Sequence, residues 1–196
     1  MEITAPVLIG QRVRLEPLAE EHREGLRTAS DDDRVWAFLP AGGRGPEFDP
    51  ALNDALAMRA AGKRLPYAVR LLATGELVGA TSYIDPVPAH KRVEIGWTWY
   101  HPDRWAGPVN PECKLLLLAH AFDTLGLNRV QFVTDSRNAR SQAALAKLGA
   151  RCEGTLRAHM IVRGGRLRDT VVFAIVASEW PQVKAGLVAR LAAFGA

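Results

Sequence analysis

Apolar and charged residues alternate from Val13 to Leu18, which predicts a first strand, and the polar stretch from Glu20 to about Ala29 reads as a helix. A Gly/Pro-rich break from Pro40 to Pro46 precedes a second helix over Pro50 to Ala61. Asp49 stands where it can cap that helix, Pro50 suits a first helical position, and Gly62 can end it. Strand-like runs then follow at Tyr67 to Leu72, Leu77 to Ile84 and Arg92 to Tyr100, the first two joined by the turn Ala73-Thr74-Gly75-Glu76. Consecutive strands with short turns imply an antiparallel meander.

Beyond the loop His101 to Val109 the pattern changes to a helix, with Asn110 as its expected cap, Pro111 at its first position and Glu112 near its positive end. Its body, from Leu115 to Phe122, is apolar nearly all round, as expected of a helix covered by other elements, and Gly126 is its expected stop. A strand from Arg129 to Thr134 and a helix from Asn138 to Leu148, closed by Gly149, imply a parallel crossover. Strands over Thr155 to Val162 and Thr170 to Val176 flank the turn Arg163-Gly164-Gly165-Arg166, and a helix from about Glu179 to Leu191 follows. The expected fold is mixed α/β with a mostly antiparallel sheet of about six to seven strands flanked by helices, in one domain over residues 1–196.

Composition narrows the chemistry. With 48% apolar residues in 196, the chain can bury a sizeable core. Its formal charge of +4 is spread without a Lys/Arg block, which suits an anionic small ligand better than nucleic acid. Cys113 and Cys152 sit among apolar neighbours without a CxxC or a His cluster; both read as small core residues, and no metal is expected. Met1 to Gly10 lacks the charged head and apolar run of a signal peptide, and no stretch approaches the ~20 apolar residues of a membrane span, so a cytoplasmic location is expected.

The stretch from Glu94 to Ala150 carries most of the information: EIGWTWY, the loop HPDRWAGPV, the helix NPECKLLLLAHAF, the strand RVQFVTD, then NARSQAALAKLGA. It resembles the GCN5-related N-acetyltransferases, and closely their RimJ/RimL-type branch, over roughly residues 10–180. The resemblance implies acetyl-CoA as donor, a primary amine as acceptor (a protein N-terminus or a small molecule), and a splayed parallel strand pair at the cofactor site. Trp97, Thr98 and Trp99, through to Tyr100, would meet the pantetheine arm, and Arg104, Trp105, Ala106, Gly107, Val109 and Asn110 the pyrophosphate. Helix dipoles and unpaired N–H groups make such an N-terminus an anion site, although a merely well-capped helix would read the same way. The loop departs from the family's Q/R-x-x-G-x-G/A by ending in Val109; alternatively, related branches carry Gly-x-Gly where this chain reads Ala106-Gly107-Pro108, and in that register Pro108 removes one donor.

The resemblance further assigns Asn138 to the pantetheine and Ser141 to the departing thiol; an N-cap with a first-turn serine is the rival. Arg140 and Lys147 would meet a nucleotide phosphate, or stand as solvated helix charges. An ammonium must lose a proton before attack, and Glu94, expected to share a strand face with Gly96 and Thr98, is the candidate base. A surface or salt-bridged glutamate is its rival reading. His159 and Glu153 are second choices; Tyr83, Asp85, His90 and Trp36 are candidates for the acceptor side. A backbone N–H near Trp97 to Trp99 would stabilise the developing oxyanion. The competing function on the same fold is an acyl-CoA-binding sensor without efficient transfer. The glycine hairpin and the last helix also offer surfaces for a homodimer.

Overall fold

A computed structural model describes residues 3–195; Met1 and Glu2 of the opening stretch, and Ala196, lie outside it. One eight-stranded sheet runs in the order β1-β2-β3-β4-β5-β6-β8-β7. Its strands are β1 (Leu8–Ile9), β2 (Val13–Pro17), β3 (Arg64–Leu71), β4 (Leu77–Val87), β5 (Arg92–Tyr100), β6 (Arg129–Asp135), β7 (Arg151–Val162) and β8 (Arg166–Val176). Every neighbouring pair is antiparallel except β5–β6, which is parallel. The helices are α1 (Arg23–Ala29), α2 (Asp33–Trp36), α3 (Phe48–Ala60), α4 (Val109–Ala119), α5 (Ala139–Leu148) and α6 (Trp180–Ala192). The mixed α/β architecture expected from the sequence is therefore present.

Two cores fix the layers. On one face Cys113, Leu117 and Leu118 of α4 pack against Val13, Tyr67, Ile95 and Val130, with Leu145 of α5 and Leu187 of α6 in the same cluster. Leu117 and Leu118 are fully buried, each worth about 1.5–3 kcal/mol against exposure, so α4 is held rigidly against the sheet. On the other face Leu26 of α1 and Phe48 and Leu52 of α3 cover Ala68 and Leu77.

Several local expectations are corrected. Asp49 lies inside the first turn of α3 and bonds Arg23 and Arg27 instead of capping the helix. α4 begins at Val109 with Pro108 as its N-cap residue, so Asn110 is already helical. Its far end widens into a π-turn over His120–Thr124 and then stops, as expected, at Gly126, which takes a left-handed φ of 59°. β7 begins at Arg151, ahead of the expected Thr155; it is an edge strand exposed along most of its length, so burial imposes no alternation there. That placement exposes Cys152, while Cys113 is buried with its thiol pushed up to about 12 by desolvation.

Candidate active site

The sheet opens between β5 and β6. Their pairing runs through Arg92↔Arg129, Val93↔Val130 and Glu94↔Gln131 and goes no further, although β5 continues to Tyr100 and β6 to Asp135. The cause lies in β5, where Trp97 adopts a left-handed φ of 47° and the β4–β5 register shifts between Ala80 and Ser82. One extra residue at a bulge reverses the alternation beyond it. Ile95 and Tyr100 consequently both enter the α4 core, whereas Trp99 turns to the opposite face and meets Trp36 at 5.3 Å between ring centroids. Glu94 and Gly96 share a face, as expected, but Thr98 does not join them, because its hydroxyl accepts from Lys114 Nζ on α4 at 3.1 Å.

A cavity of about 1000 Å³ threads this gap. Of the expected cofactor residues, Trp97, Thr98, Trp99, Arg104, Trp105, Ala106, Gly107, Asn110, Asn138, Ser141 and Lys147 line it. Val109 does not, since its side chain is buried in the core. Glu112 N donates to Pro108 O at 3.0 Å, while the amides of Ala106, Gly107, Val109 and Asn110 have no backbone or side-chain acceptor among the described residues. The Asn110 Oδ1 is buried without a partner. The loop itself is pinned: Trp105 Nε1 donates to Tyr100 O at 2.9 Å, Arg104 pairs with Glu76 at 3.0 Å, and the Arg140 guanidinium lies 3.3 Å from the Trp105 ring centroid. Asn138 caps α5, its Oδ1 accepting from Ser141 N at 3.0 Å. That bond leaves the Asn138 amide NH₂ and the Ser141 hydroxyl free of protein partners among the described residues.

On the opposite side of the gap stands Glu94. Desolvation raises its carboxyl above the ordinary range, opposed by Gln131 Nε2, which donates to Oε2 at 3.1 Å. His159 lines the same cavity, with Nδ1 at 3.1 Å from Thr170 Oγ1. Other expected acceptor residues fall elsewhere. Tyr83 is fully buried in the α4 core, its hydroxyl donating to Leu117 O at 2.5 Å, so it cannot line an acceptor site. Glu153 is paired with Arg129, and Asp85 with Arg92 at 3.1 Å, both away from the cavity wall. His90 sits in an exposed turn after β4.

Three cations in the cavity, Lys114, Arg168 and Arg190, were not among the expected residues. Lys114 is buried with no carboxylate partner among the described residues, and its ammonium is pulled down to about 8 by desolvation. Arg168 on β8 is 4% exposed, with Nε unpartnered, and its charge acts on Glu94. The signal for Lys114 was present as the one cation in a mostly apolar helix; Arg168 lies in an ordinary-looking polar segment that gave none. The cavity is thus cationic: Arg104, Lys114, Arg140, Lys147, Arg168 and Arg190 face only Glu94 and Asp135, and Asp135 already binds Arg166.

Comparison with known proteins agrees with this geometry. Residues 12–151 match the family described as acetyltransferase (GNAT) domain. A solved GCN5-related N-acetyltransferase from Brucella melitensis is 32% identical, covering 97% of this chain and 87% of its own, with a TM-score of 0.88. Mycobacterium smegmatis RimJ, solved in complex with CoA-disulfide, is 26% identical over 91% of this chain and 88% of its own, with a TM-score of 0.76. The curated relative "Putative ribosomal N-acetyltransferase YdaF" of Bacillus subtilis (strain 168) is 29% identical over 110 residues, 56% of this chain, and the match spans 59% of that relative's length. The chain belongs to the GNAT acetyltransferase family, in its RimJ/RimL-type branch.

Proposed function

We propose that this acetyltransferase binds acetyl-CoA in the α4/α5 half of the cavity and passes the acetyl group to a primary amine by direct attack in a ternary complex. The observation that carries this reading is the single cavity through the β5–β6 gap, with unpaired α4 amides at one side and Glu94 at the other. The residues fit coenzyme A. Free N–H groups at a helix N-terminus suit a diphosphate, Arg140 and Lys147 offer charge to a further phosphate, and RimJ of M. smegmatis holds a CoA-disulfide on the same fold. Pro108 lacks an N–H, and the amides on either side of it supply the donors. The bound thioester supplies an electrophilic acyl carbon.

Within the protein, Glu94 takes the proton of the incoming ammonium through water. Its raised pKa brings it nearer neutrality, where a carboxylate is the stronger base. The unpaired edge of β5 beyond Glu94 presents backbone N–H groups to the developing oxyanion. Ser141 donates to the departing thiolate, and Lys114 places positive charge on the same side of the gap. Both cysteines are excluded as acyl carriers, because Cys113 is buried in the α4 core and Cys152 lies on the exposed edge strand.

Isothermal titration with acetyl-CoA, alongside CoA release against a panel of amines and peptides, tests the proposal. Binding accompanied by release with at least one amine is expected. Binding with no release for any amine favours an acyl-CoA sensor, and absence of binding at millimolar acetyl-CoA overturns the assignment.

A further inference from the structure

A second cavity of about 470 Å³ lies across Trp97 from the first, which also shares its Trp99 wall. Its walls are apolar, with Leu26, Trp36, Phe48, Leu52, Trp97 and Trp99 contributing. Into it reaches one cation, Arg64, at the start of β3 and only 8% exposed. The guanidinium lies 4.8 Å from the Trp97 ring centroid, and its Nε donates to Ser82 Oγ at 2.8 Å. Its two terminal nitrogens bond to no protein acceptor, and it forms no ion pair among the described residues. Two acids reach the rim: Glu47 is engaged by Arg163 at 2.8 Å, and Asp54 acts on Arg64 only through space.

A buried guanidinium costs stability unless its donors are satisfied. Stacking on Trp97 serves the face of the ion but leaves the in-plane fork free, and that fork matches a carboxylate through two parallel hydrogen bonds. The surrounding aromatic and aliphatic walls favour a bulky apolar body over a polar one.

Resting on the transfer reaction proposed above, the geometry points to an acceptor that carries a carboxylate beside its amine on a bulky apolar body, with the carboxylate on Arg64 and the body against Trp36, Trp99 and Phe48. The acceptor class is an amino acid with a bulky apolar side chain, or a close relative of one, in which the carboxylate is free. A protein N-terminus, whose α-carboxyl is tied up in a peptide bond, leaves the fork empty.

The test compares CoA release with L-phenylalanine, L-phenylalaninamide and L-alanine, for the wild type and for Arg64→Gln. A charged hydrogen bond of this kind corresponds to about tenfold or more in kcat/KM. Phenylalanine is therefore expected to exceed its amide by at least that factor, and alanine to fall below phenylalanine. In Arg64→Gln the preference of acid over amide disappears through a raised KM for the acid. Acetyl-CoA titration of the variant verifies its fold. If Arg64→Gln does not fold, Arg64→Lys, which keeps the charge but loses the fork, is expected to reduce the preference. N-Acetylphenylalanine is also expected to raise the wild-type melting temperature more than N-acetylphenylalaninamide, a readout independent of turnover.

Equal rates for acid and amide, or a preference that survives Arg64→Gln, overturns the inference. Release with other amines or peptides but not with phenylalanine overturns it while leaving the transfer reaction standing. No release with any amine removes both.

Discussion

The buried ammonium of Lys114 donates to the Thr98 hydroxyl at 3.1 Å, and that hydroxyl in turn lies 2.8 Å from Thr81 Oγ1. This chain ties α4 to the strand beside the gap, but it contains no anion. An amine held at about 8 when its ordinary value is 10.5 destabilises the fold below pH 8. Stability then rises from pH 8 to 10.5, because the unfolded chain still carries a proton that the folded chain has released. Such a displacement is worth at most ~3 kcal/mol. Lys114→Met is expected to stabilise the protein by up to that amount at pH 7 and by little at pH 10, while lowering kcat. Urea unfolding at the two pH values, with CoA release at pH 7, checks it; a variant less stable at pH 7 contradicts the account.

Glu94→Gln removes the proposed base but retains the shape of the side chain. Acetyl-CoA affinity is expected to hold, and kcat to fall by about 10²-fold or more. The wild-type rate is expected to fall on acidification, as the carboxylate takes up a proton at a pKa raised by burial. The variant loses this acid limb. A pH–rate profile that is unaltered by the substitution removes Glu94 from the mechanism.

The cap made by Asn138 and the CoA contact proposed for it can be separated. Its Oδ1 caps α5, while its NH₂ faces the cavity without a protein partner. Asn138→Asp retains the cap acceptor and removes the donor, so thermal stability is expected to persist as CoA binding weakens. Asn138→Ala loses both, at a cost of about 1 kcal/mol in stability. Calorimetry and thermal unfolding of the pair distinguish the roles; equal CoA affinity in Asn138→Asp and wild type rules out the donor.

Gly79 on β4 admits no side chain. A Cβ there would run into the Trp99 carbonyl oxygen and come within 2.9 Å of Tyr100 Cα, both of them backbone of β5. Gly79→Ala is expected to cost about 1–3 kcal/mol. Because it moves the strand that carries the bulge, it should weaken CoA binding as well. Chemical denaturation measures the first effect and titration the second; a neutral substitution would mean that β4 and β5 part without consequence.

Periodicity located the strands of the meander and the long buried helix because burial on one face enforces it; β5 was read at its observed limits, Arg92 to Tyr100. The Asn138 cap and the Gly149 stop, at φ 93°, were equally legible, since each is a local requirement of the backbone. Other features depended on partners distant in sequence. Tyr83 looked like any polar aromatic on a strand, and only the packing of α4 over it shows that its hydroxyl is spent on Leu117. Thr98 was assigned to the wrong face because alternation cannot be carried through an unseen bulge. Arg64 and Arg168 drew no attention, for a buried arginine reads like a surface one until the fold encloses it.

The Trp97 side chain is a partition between two chambers: one face of it borders the larger cavity, and the Arg64 ion rests on it in the smaller. Anything that turns this indole reshapes both compartments together. A ligand that turns the ring from one compartment would alter affinity in the other, and thermodynamic reciprocity requires the same factor in each direction. A single inserted residue in β5 thereby shapes both chambers at once.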